Sequence, residues 1–131
     1  MKTTSWLASF CLLCLLLLTA GCVAVAVGAA AAAGAAGYAY VSGELKSTES
    51  ASLERAWSAT TAAMQELEFP VTSKSKDALG AELTARNASD KKIAITLKKR
   101  SDNATEIRIR VGTFGDESLS RLILEKIKKR L

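Results

Sequence analysis

The chain has 131 residues, with 18 lysines and arginines against 13 aspartates and glutamates, a net charge of +5, three cysteines, one proline and no histidine. That length suits one domain of ordinary size. Without histidine no Ser-His-Asp or Cys-His nucleophile can be assembled, and the commonest general base and metal ligand is missing.

Residues 6–41 contain no charged side chain, whereas residues 42–131 hold nearly every charge. This shift predicts the main boundary. Lys2 begins a short positive region, and "WLASFCLLCLLLL" (6–18) has the length and composition of a signal-peptide core. "TAGC" (19–22) resembles a bacterial lipobox, although Thr19 stands where leucine is usual. The resemblance implies cleavage after Thr19, Ala20 and Gly21, and attachment of diacylglycerol and an N-acyl chain to Cys22. Residues 1–21 are then a signal peptide. Cys11 and Cys14 depart with it, so no intramolecular disulfide can form in the mature chain. Each buried acyl methylene contributes about 0.8 kcal/mol, so several acyl chains hold the protein permanently. Val23 follows the cysteine in place of the aspartate that retains enterobacterial lipoproteins at the inner membrane. The resemblance therefore implies a periplasm-facing lipid anchor, with the outer membrane favoured.

Residues 23–41 are alanine, valine, glycine and tyrosine only. As a helix they would extend about 28 Å, close to the ~30 Å of a hydrocarbon core, but methyl-sized side chains bring little transfer free energy. Three readings stay open: a tether along the lipid surface, a small-residue helix that self-associates through spacings such as Ala30–Gly34 and Ala33–Gly37, or an uncleaved spanning helix drawn from residues 6–41. Tyr38 and Tyr40 suit an interfacial aromatic belt or the start of a strand equally.

A folded domain is expected over residues 42–131, with a first strand near Val41–Thr48. In residues 50–69, Leu53, Ala56, Trp57, Thr60, Met64 and Leu67 recur at helical spacing. Ser50 or Ser52 supplies the cap, and Pro70 is expected to end the helix. The period then changes to two. Residues 71–77 read as a polar edge strand guarded by Lys74 and Lys76. Residues 80–87, 91–100 and 104–112 alternate, placing Leu83, Ile93, Ile95, Leu97, Ile107, Ile109 and Val111 on one side. Short links rich in Asn, Asp and Ser predict antiparallel hairpins. Gly112 to Gly115 break the last strand, and Asp116 or Ser118 caps a final helix with a stripe of Leu119, Leu122, Ile123, Ile127 and Leu131. Lys126, Lys128, Lys129 and Arg130 complement its dipole and are also candidates for contact with an anionic surface.

One apolar sheet face and two one-faced helices predict an α+β two-layer sandwich, ordered β-α-β-β-β-β-α, with both helices on one face. The other face is expected to carry Arg86, Lys98, Arg108 and Arg110 among Glu82 and Glu106. The Trp57 helix, "DALGAEL" and "RIRVGTFGD" resemble an uncharacterised family of small bacterial lipoproteins, a domain of unknown function. The layout is also similar to helix-grip modules of outer-membrane assembly lipoproteins, by topology alone.

Catalytic and metal sites are not expected. No S-x-x-K sits in a strained turn, Asp116-Glu117 reads as a helix start, and Gly112 and Gly115 do not form a phosphate loop. Asn87-Ala-Ser and Asn103-Ala-Thr read as turns. The basic residues are not interleaved with aromatics, which argues against nucleic acid. The sequence thus predicts a non-enzymatic envelope lipoprotein without a cofactor beyond its lipid, with membrane lipid and an envelope protein as partners. The alternative is an integral or self-assembling protein acting through residues 23–41.

Overall fold

The computed structural model describes residues 37–131. The expected signal peptide, the expected lipobox with Cys22 and most of the alanine/glycine segment fall outside the described residues.

The described chain runs β1 (Ala39–Val41), β2 (Glu44–Glu49), α1 (Leu53–Glu66), β3 (Val71–Lys76), β4 (Gly80–Arg86), β5 (Lys92–Ser101), β6 (Ala104–Val111) and α2 (Glu117–Lys128). The strands form one antiparallel sheet in the order β1-β2-β6-β5-β4-β3. Alternation in β4, β5 and β6 does what a period of two dictates. One face sinks Leu83, Ile95 and Ile109 in a single cross-strand row that continues to Leu45. Both helices cover that face, and Met64, Ile123 and Ile127 are fully buried against it. The expected α+β sandwich is the fold observed.

Four details differ from the sequence reading. The folded part starts before residue 42, because Ala39–Val41 pair with Glu44–Lys46 across a Ser42-Gly43 turn. Both turn residues have positive φ, 53° and 78°, the backbone a two-residue hairpin requires. The sheet therefore gains a sixth strand. Tyr38 and Tyr40 are half-buried against the core, so they belong to the sandwich.

Pro70 does not end α1. The helix closes at Leu67, where the Phe69 N–H donates to the Met64 C=O (2.9 Å) and the Glu68 N–H to the Gln65 C=O (3.1 Å). These two bonds make a Schellman closure, with Glu68 in the left-handed position at φ 56°. Ser52 caps the other end, its hydroxyl accepting from the Arg55 N–H.

The stripe of α2 is rotated from the expected one. Ser120, Ile123, Leu124 and Ile127 are buried, whereas Leu122 is 41 % exposed. In α1 likewise, Ala59 and Ala63 are buried while Trp57 and Leu67 lie at the margin. Small residues let the helix backbone approach the sheet, and the larger ones cover the rim.

Candidate functional site

The C-terminal cations, the expected anionic-surface contacts, are mostly engaged within the fold. Lys126 Nζ lies 2.5 Å from Glu66, and Arg130 Nη2 lies 2.7 Å from the same carboxylate. Hydrogen bonds from Lys126 and then Arg130 hold the Glu66 carboxyl at about 2, well below its ordinary 4.5. Lys128 reaches Glu49 at 3.4 Å. Lys129 alone of the four makes no ion pair among the described residues. The run clamps the end of α2 to the end of α1 and to β2.

The helix-free sheet face carries the expected residues, but its centre is neutralised. Arg108 lies between Glu106 and Glu44, contacting the first closely and the second at 3.8 Å. Arg100 also binds Glu106. Partial burial pushes the Glu106 carboxyl up, and the hydrogen bonds from Arg100 and Arg108 outweigh it, so the net direction is down. Arg110 braces two loops at the end of the face, donating to the Ser42 C=O (2.9 Å) and the Thr113 C=O (3.4 Å). The ladder is a set of internal ion pairs spread across β2, β5 and β6.

Two ends of the sheet present an isolated apolar side chain beside cations. At one end Leu79 is 76 % exposed in the β3–β4 turn. The turn is tightly bonded. Asp77 Oδ1 accepts from the Leu79 and Gly80 N–H groups (2.8 and 2.9 Å), and the Leu79 C=O accepts from the Lys99 N–H (2.8 Å). An open cleft of about 520 Å³ lies beside it, lined by Lys76, Lys98, Lys99 and Arg100 and by Asp77 and Glu82; Lys76, Lys99 and Arg100 are paired with Glu54, Asp102 and Glu106. Gly37 belongs to this end as well. Its C=O accepts from Ser47 Oγ (2.5 Å), next to Glu49 and Lys128, and Glu49 pairs with Thr105 just past the β5–β6 turn.

At the opposite end Phe114 is 93 % exposed. A second cleft of about 510 Å³ is lined there by Arg86, Lys91, Lys92 and Phe114. Its charges are partly paired, Arg86 with Asp90 at 3.2 Å and Lys91 with Asp116 at 3.9 Å.

Among the described residues no group of three or more carboxylates and thiols converges to hold a metal ion, and no helix is long and apolar enough to cross a membrane. Sequence reasoning did not single out Leu79 or Phe114. The signal was available, since each is a large apolar residue inside a glycine-bounded turn, where burial has no geometric means of reaching it.

The family profile described as "Protein of unknown function (DUF3568)" matches residues 5–130. The chain belongs to that family. The match begins at residue 5, before the uncharged stretch, and runs through α2, so that stretch and the sandwich fall within one family unit. No curated protein matches the chain. Thr19, Ala20, Gly21 and Cys22, the expected lipid-attachment residues, lie outside the described residues.

Proposed function

We propose that this member of the DUF3568 family is a lipid-anchored bacterial envelope protein. Cys22 carries the acyl chains, and the sandwich is a non-enzymatic module that presents its surface to another envelope component. The observation that carries this reading is the sequence "TAGC" at the end of an uncharged apolar run, joined to a folded unit that begins at Gly37. The periplasmic side, and the outer membrane in preference to the inner, follow from the lipobox and from Val23. The alternative of a spanning helix that reaches residue 41 loses support, because Ala39–Val41 are a strand. A span drawn from the rest of residues 6–41 is the reading the next experiment separates from the lipid anchor.

A Cys22→Ser variant tests the proposal. In cells fed radiolabelled palmitate the parent chain takes up label and loses residues 1–21, and the variant does neither. Equal processing and membrane retention of both chains would refute the lipid anchor and favour an integral protein.

A further inference from the structure

We propose that the helix-free face of the sheet docks an acidic segment of another envelope protein, an inference that rests on the reading that the sandwich presents its surface to such a partner. The register sets out the charges of this face in rows. Lys46, Arg108, Thr96 and Glu82 share one cross-strand row. Glu44, Arg110, Ala94 and Thr84 form the next, and Lys92 with Arg86 the one beyond. On the other side Lys98 stands opposite Glu106.

Internal pairing leaves this face positive. Arg86 is held by Asp90, and Arg108 by Glu44 and Glu106. Lys46, Lys92, Lys98 and Arg110 have no acidic partner among the described residues, and Arg110 gives its hydrogen bonds to uncharged carbonyls. Glu82 is the one acid of these rows that is likewise unpaired among the described residues. Four uncompensated cations therefore face one uncompensated carboxylate. Between them the side chains are short, and Ala94 and Thr96 floor a shallow trough of about 140 Å³ walled by Arg108, Arg110 and Glu44.

The same rows decide the occupant. They carry no large apolar side chain on β2, β4, β5 or β6, so the face matches neither acyl chains nor an apolar protein core. A second copy of the face would meet like charge. A polyanion with the same charge at every repeat would meet Glu44, Glu82 and Glu106 as well as the cations. A polypeptide can set carboxylates against Lys46, Arg110, Lys92 and Lys98 and a donor against Glu82. Charge patterned in this way governs specificity and association rate more than raw affinity.

Photo-crosslinking of the full-length chain in intact cells tests this. A benzophenone amino acid replaces Thr96 on the face or, in separate chains, Leu79, Phe114 or Leu122 elsewhere on the surface. The expected result is a protease-sensitive adduct at Thr96 whose cross-linked segment, read by mass spectrometry, is rich in carboxylates. Lys46→Gln, Lys92→Gln and Lys98→Gln together should cut its yield about tenfold. Their Tm should be unchanged, since none of the three lysines is in an ion pair of the fold. An undiminished yield in that variant overturns the docking. So does a Thr96 adduct with lipid, with glycan, with a second copy or with a segment that carries no net negative charge. Adducts only at Leu79, Phe114 or Leu122 overturn the face and leave the partner reading standing, whereas no adduct at any position overturns both.

Discussion

Gly43 and Gly115 meet backbone to backbone where the β1–β2 turn crosses the loop after β6. A Cβ on Gly115 would overlap the Gly43 Cα, and a Cβ on Gly43 would sit 2.5 Å from the Phe114 carbonyl oxygen. Gly115 also has φ +86°, so alanine there is strained even without the clash. Gly112, at φ +69°, has open space around its Cβ direction. We expect Gly115→Ala to cost about 3 kcal/mol, from left-handed strain plus overpacking, and Gly112→Ala about 1 kcal/mol from strain alone. Urea unfolding of the two variants checks the ranking.

Glu68 occupies the left-handed closing position of α1, where glycine is the usual residue. Glu68→Gly should raise stability by about 1 kcal/mol, since it relieves a positive φ and keeps both closing hydrogen bonds. Thermal unfolding reads this as a higher Tm. An unchanged or lower Tm would mean that the glutamate side chain contributes something its hydrogen bonds do not record.

The Glu66 clamp gives a pH signature. Its carboxyl sits at about 2 in the fold against an ordinary 4.5, so the folded state favours the ionised form. The clamp's contribution is fully present above about 4.5 and is lost as pH falls through about 2. Glu66→Gln should therefore be less stable than the parent at neutral pH, with the gap closing only in acid. Because the group is solvent-accessible, high salt should narrow the gap. Parallel denaturant titrations from neutral to strongly acidic pH measure it.

Two buried hydroxyls predict opposite signs. Thr105 Oγ1 donates to the Ala51 C=O at 2.9 Å, tying β6 to the link before α1. Thr105→Val should cost about 1–3 kcal/mol by leaving that carbonyl unpaired in the core. Ser120 is equally buried, yet its Oγ has no partner among the described residues. Ser120→Ala should stabilise by about 1 kcal/mol, removing a desolvated hydroxyl and adding a better helix former. Equilibrium unfolding of both variants against the parent is the check.

Legibility in the sequence followed the strength of periodicity. β4, β5 and β6 were readable because each alternates strictly with one face buried. The phase of α2 was not, because Leu119, Leu122, Ile123 and Leu124 surround the helix and Ser120 conceals itself on the buried side. Only tertiary contact selects among such stripes. β1 was only half legible. Tyr38 and Tyr40 suited the start of a strand and an interfacial belt equally, and three residues at the end of an alanine/glycine run are too few to decide between them. The exposed Leu79 and Phe114 escaped for the converse reason, since apolar residues were assigned inward by type and turn geometry overrides type. The C-terminal cations were visible as charges, but their partner Glu66 lies on the other helix, 60 residues away in sequence from Lys126.

The position of β6 in the sheet has a consequence for how the polypeptide acquires its structure. β6 lies between β2 and β5, and it pairs Arg110 with Glu44, a residue far earlier in the chain. Hairpins β3–β4 and β4–β5 can zip locally, but the β1–β2 pair has nothing to join until the last quarter of the chain arrives. Closing so long a loop is the slow step of this topology. A ribosome-bound chain lacking residues 104–111 therefore has no complete sandwich. The sheet therefore cannot be completed until synthesis is nearly finished.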